Sequence, residues 1–107
     1  MKRKRDFERR KDHRKQLDKA TALAIAVEEG LPLAESVRGV PYSSTPVSIS
    51  RVEIGWLVQF APTSHIDADG RKVFNVQYIV DDRDRRLHPV GTFGARRIVE
   101  EILYRRG

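Results

Sequence analysis

Strict alternation of apolar residues in two stretches limits what this chain can fold into more than any other feature. Val52, Ile54, Trp56, Val58 and Phe60 occupy every second position, which on an extended strand gathers all five side chains on one face. Phe74, Val76, Tyr78 and Val80 repeat the pattern in the stretch 73–80. The intervening PTSHIDADGR holds Asp69-Gly70, a turn signal, so the two stretches read as an antiparallel hairpin. Centred on that loop, the hairpin sets Trp56 opposite Val76, Val58 opposite Phe74 and Ile54 opposite Tyr78. One apolar face results. Val47 and Ile49 alternate on odd positions instead, and a bulge near Ser50 and Arg51 would reconcile the two phases. The Asp81–Arg85 turn leads to a short strand around 87–90.

Helical periodicity flanks the strands. Leu17, Ala20, Ala24, Val27 and Leu31 recur three and four apart, with Leu23 widening the stripe. This helix is expected to end at Gly30 in a left-handed cap just before Pro32. Pro32, Gly39, Pro41 and Pro46 mark a connecting segment, in which residues 33–37 can add a helical turn. Ile98, Val99, Ile102 and Leu103 form the stripe of a closing helix over residues 95–104, with Thr92 as its expected N-cap. The order predicts an α+β fold: a small antiparallel sheet of three to four strands packed on an N-terminal and a C-terminal helix. At 107 residues, one domain over residues 17–107 is expected, preceded by a basic arm over residues 1–16.

Charge is distributed unevenly. Residues 1–15 hold nine Lys or Arg against three Asp or Glu, which is the whole net excess of +6; the remaining twelve basic residues are balanced by twelve acidic ones. Lys2, Arg3, Lys4, Arg5, Arg9, Arg10, Lys11, Arg14 and Lys15 make the arm a candidate for sequence-independent phosphate contacts. Phe7 is its only Phe, Trp or Tyr, so basic and aromatic residues do not alternate along it. Opposite charges three and four apart, as in Lys4 with Glu8, allow it to be helical and even continuous with the first helix. The longest apolar run, Ala22 to Val27, is far short of the roughly 20 residues that span a bilayer. With no secretory leader pattern and no cysteine, the expectation is a cytoplasmic protein that has no disulfides and does not enter membranes.

Catalytic patterns are absent. Asp67, Asp69 and Gly70 imitate the start of a calcium loop, but the twelfth position, where a carboxylate is required, is Tyr78. Asp81, Asp82 and Asp84 would lie at the other end of the hairpin. His13, His65 and His88 are scattered, and Ser64 beside His65 is no triad. Gly91-Thr92-Phe93-Gly94 lacks the further glycine and the lysine of a phosphate loop. No enzyme activity, metal or cofactor is implied. The back of the hairpin is more informative: Glu53, Gly55, Leu57 and Gln59 beside Val73, Asn75, Gln77 and Ile79 form a mixed face suited to a protein partner or to self-association.

Gly55-Trp56-Leu57-Val58, the end Tyr78-Ile79-Val80-Asp81 of the next strand, and Gly91-Thr92 before a final amphipathic helix resemble the YrhB-like family of small immunity proteins. The resemblance runs from about Leu17 to Leu103. It departs from the family in the loop 61–72, which lacks a Gly-rich approach to the second strand, and in the length of the Pro-rich segment. It implies a non-enzymatic module that neutralises a toxin by direct binding. The alternative expectation is a nucleic-acid-associated protein acting through the basic arm.

Overall fold

The computed structural model of the chain describes residues 16–91 and 94–106; residues 1–15 of the basic arm and the expected Thr92 cap lie outside them. Helix α1 (Lys19–Ile25) passes through a π-helical turn (Ala26–Gly30) into α2 (Leu31–Arg38). Strands β1 (Ser48–Val52), β2 (Gly55–Phe60), β3 (Val76–Asp81) and β4 (Leu87–Pro89) follow, and α3 (Ala95–Arg106) closes the chain. The sheet is antiparallel throughout, in the order β1-β2-β3-β4.

Helix α1 starts where Asp18, in extended conformation, accepts a hydrogen bond from the Thr21 amide at 2.7 Å. Such an N-cap satisfies one of the first-turn amides. The chain is therefore not helical from the arm straight into α1. The helix does not stop at Gly30 either. Pro32 cannot donate a hydrogen bond, and its ring would crowd the carbonyl four residues back in a regular helix. The wide turn just before it accommodates both defects, and the left-handed cap comes at Gly39 instead, φ 77°.

The buried stripe of these helices also differs from the expected one. Ala20 and Ala24 are exposed, whereas Ala22, Ala26, Gly30 and Ala34, each four residues apart, are buried. Small side chains let the helix approach the sheet closely. A Cβ at Gly30 would lie 2.7 Å from Cε2 of Tyr78, whose hydroxyl donates to the Gly30 carbonyl at 2.8 Å. Tyr78, Val58, Phe60 and Val80 complete this larger core with Leu17, Leu31, Val40 and Tyr42.

The stretch 52–60 is not one strand. The chain reverses at Glu53-Ile54, pairing Val52 with Gly55, so the phase change expected as a bulge is a hairpin turn. The register of β2 on β3 is Trp56 with Val80, Val58 with Tyr78 and Phe60 with Val76. This is four residues from the expected pairing. Because four is even, every side chain keeps its face. Helix α3 packs on the opposite face from α1 and α2, where Ile54, Ile79, Val99 and Ile102 form a second core. The sheet is thus sandwiched between helices on its two faces rather than backed on one side only.

Candidate functional site

Helix α3 covers half of the face that the sequence marks as open. Ile79 has 0% of its surface exposed, Gly55 is buried and Leu57 is half-buried against the second core. Val73 is buried too, but in the larger core. Glu53 is exposed, and its carboxylate receives both terminal guanidinium nitrogens of Arg96, at 2.6 and 2.8 Å, clamping the first turn of α3 to the β1-β2 turn. The expectation of an open face fails for Gly55, Ile79 and Val73. The physical reason is that Leu57 and Ile79 are aliphatic enough to hold the Val99-Ile102 stripe, so a helix lies over them.

Beyond the reach of α3, Gln59 and Gln77 remain half-exposed as a cross-strand pair, with Asn75 following from the loop. They line an open groove of about 700 Å³ together with Arg38, His65, Phe74, Val90 and Gly91. The loop 61–75 shapes its far wall. The Asp67 side chain accepts the amides of Asp69 and Arg71 at 2.9 and 2.8 Å, which closes the tip on itself. The Val73 amide donates to the His65 carbonyl at 2.8 Å, and His65 Nε2 and Asn75 Oδ1 stand 3.2 Å apart. These bonds fix His65 and Asn75 as a wall.

Phe74 is the residue that sequence reasoning misplaced. Alternation assigns it to the core opposite Val58, yet β3 begins at Val76 and Phe74 is 62% exposed. Its carbonyl accepts the Tyr42 hydroxyl at 2.9 Å, so the backbone is tied down while the ring faces outward. Burial raises the hydroxyl pKa of both Tyr42 and Tyr78, keeping them neutral donors. The groove offers three amides, an imidazole, a guanidinium and an aromatic ring. Such a set recognises hydrogen-bonding and apolar groups together but has no nucleophile with a base beside it. Ser64 is occupied locally: its hydroxyl donates to the Ile66 carbonyl at 2.8 Å and accepts the Ile66 amide at 3.2 Å.

The opposite end of the sheet is an ionic anchor. The Asp82 carboxylate accepts both terminal nitrogens of Arg51 and the Leu17 amide. Trp56 Nε1 donates to the Leu17 carbonyl at 2.8 Å under the Arg51 guanidinium. The Gly-Trp pair thus fastens the start of the first helix to the sheet. Beside it Asp81, 1% exposed, is paired with Arg106. Burial pushes its carboxyl pKa up, but the hydrogen bond and charge of Arg106 and the Arg83 amide outweigh this and hold it below the ordinary value.

A carboxylate whose folded-state pKa is depressed contributes stability above its unfolded pKa of about 3.9 and loses it as pH falls through the folded value. The urea midpoint should therefore be flat near neutrality and decline below about pH 4. Asp81→Asn should lower the neutral midpoint and remove part of the acid decline. An acid decline of the same depth in that variant would show that other carboxylates carry it.

No helix among the described residues is long and apolar enough to cross a membrane. Set against family models, curated proteins and solved structures, the chain matches none of them.

Proposed function

We propose that the chain is a non-enzymatic protein-binding module of the immunity or inhibitor kind, acting through the groove at the uncovered end of the sheet. The exposed Phe74 ring carries this reading. A large aromatic side chain held out of the core by its own anchored backbone, and ringed by Gln59, Asn75, Gln77, His65 and Arg38, has the composition of an interface centre with a polar rim. The resemblance to small immunity proteins points the same way. A second reading rests on the arm, whose surplus of six positive charges suits phosphate contacts of a sequence-independent kind.

Affinity capture from native lysate, with and without nuclease, separates the two when run on three forms of the chain. The wild type should retain a protein partner after nuclease treatment. Phe74→Ala with Gln77→Glu should fold normally and lose about tenfold or more in affinity for it, the cost of removing one interface anchor. Deleting residues 2–15 should leave that capture intact. Capture that nuclease abolishes, that falls steeply with salt and that vanishes with the arm but not with Phe74 would replace the first reading by the second.

A further inference from the structure

We propose, on the footing that the groove is a protein-binding site, that it takes an acidic peptide segment of the partner: an Asp or Glu carboxylate meets Arg38, and a large apolar residue close to it covers Phe74. Arg38 supplies the charge. It is the last residue of α2 and is exposed, and its guanidinium forms no hydrogen bond or ion pair with the described residues. Glu35, the carboxylate one turn back on the helix, accepts the Tyr42 amide at 3.3 Å instead. The groove itself is lined by no Asp or Glu. An unmatched guanidinium in a wall of neutral groups favours an anion, and its parallel N–H donors fit carboxylate and phosphate alike.

The neighbouring groups select the carboxylate of a peptide. Burial raises the hydroxyl pKa of Tyr42 and Tyr78, and the Arg38 guanidinium is the nearby charge that opposes it. Since Tyr42 also donates to the Phe74 carbonyl at 2.9 Å, the charge and the exposed ring share one part of the groove. Gln59 and Gln77 are half-exposed there, and their side-chain amides make no hydrogen bond with the described residues. Each amide offers a donor and an acceptor together. That suits a peptide backbone, which presents N–H and C=O groups in alternation.

A nucleic acid fits less well. Its affinity comes from several phosphates neutralised at once, whereas Arg38 is the one Lys or Arg lining the groove. The chain's own arm, with nine basic residues against three acidic ones, has the wrong charge for this place. An acidic and apolar segment of another protein answers both features, because Arg and aromatic residues are the side chains that most often anchor protein interfaces.

The probe is a phage-displayed library of random short peptides, selected against the full chain at physiological salt. Peptides enriched on the wild type should carry an Asp or Glu within a few positions of a Phe, Tyr, Trp or Leu. The tightest of them, labelled for fluorescence anisotropy, should bind Arg38→Gln up to about fivefold more weakly, the scale of an exposed ion pair. Arg38→Glu should weaken it by more than about tenfold, since attraction becomes repulsion. Exchanging the peptide's acidic residue for Lys should restore binding to Arg38→Glu, a rescue that a misfolded variant cannot give. The arm is the same in every form, so its own pull on an acidic peptide cancels in these ratios. Peptides that require Phe74 but bind Arg38→Glu unchanged would overturn the acidic preference and leave the groove as a protein-binding site. Peptides indifferent to both Phe74→Ala and Arg38→Glu would remove the site altogether. Failure to enrich any peptide would overturn the proposal, as would a single-stranded oligonucleotide whose binding, unlike that of the peptides, depends on Arg38 and Phe74.

Discussion

Gly55→Ala is expected to lower the unfolding free energy by about 3 kcal/mol or more, at or beyond the upper end of what an added methyl usually costs in a packed interior. A Cβ at this position would sit 1.8 Å from the Val80 carbonyl oxygen and 2.9 Å from its carbon. Both atoms are backbone. No rotamer change relieves the overlap, so β2 must part from β3 at the pair Gly55-Asp81. That pair lies beside the Asp81-Arg106 and Asp82-Arg51 contacts, and parting it loosens the anchor at that end of the sheet. A domain of this size has about 5–15 kcal/mol in total, so the urea midpoint should fall steeply. Gly91→Ala, where nothing lies within 4 Å and φ is unremarkable, should change stability by no more than about 0.5 kcal/mol. Equal midpoints for the two variants would mean that β2 and β3 are not in this close contact.

Part of this fold is legible in the sequence and part is not. The expected and observed registers of β2 on β3 differ by four residues, and the faces still agree because side-chain parity depends only on whether the slip is even. The β1-β2 turn was hidden. Two-residue hairpin turns usually announce themselves through Asn or Gly at positive φ, but neither Glu53 nor Ile54 has positive φ. Ile54 instead turns its side chain into the second core, which kept the apolar alternation unbroken across the reversal. Gly30 read as a helix end because Pro32 followed, and no local signal reports that a π turn can absorb a proline. The small-residue spacing Ala22, Ala26, Gly30, Ala34 was present as a clue and matches the closer approach to Tyr78.

The candidate site was less legible, since it depends on which face α3 takes. An amphipathic helix shows that it packs, not where. The usable signal was Tyr78-Ile79-Val80, three consecutive buried residues, because a strand covered on both faces reads as a continuous apolar run rather than an alternating one. The same logic, run in the other direction, explains Phe74. Asn75 and Gln77 are polar, so the odd face there has nothing to hold a helix. The strand has not yet begun at Phe74, which leaves its ring outside.

Ile79→Lys should unfold the domain or come close to it. Ile79 is fully buried with Ile54, Val99 and Ile102. Its replacement loses an apolar contact worth about 2–5 kcal/mol in truncation experiments. It also puts an ammonium where no carboxylate of the second core can meet it, and a buried unpaired charge shifts its pKa or breaks the packing around it. Leu57→Lys, half-buried on β2, has a route outward for the charged end along its own stem and should cost about 1–2 kcal/mol. Gln77→Lys lies past the end of the α3 cover, and its effect on stability should be within about 0.5 kcal/mol. The gradient from Ile79 through Leu57 to Gln77 traces the edge of the helix on the sheet. Urea midpoints of the three variants measure it directly. A native midpoint in Ile79→Lys would place α3 elsewhere and reopen the whole odd face as a docking surface. A large loss at Gln77 would instead close the groove and remove the proposed site.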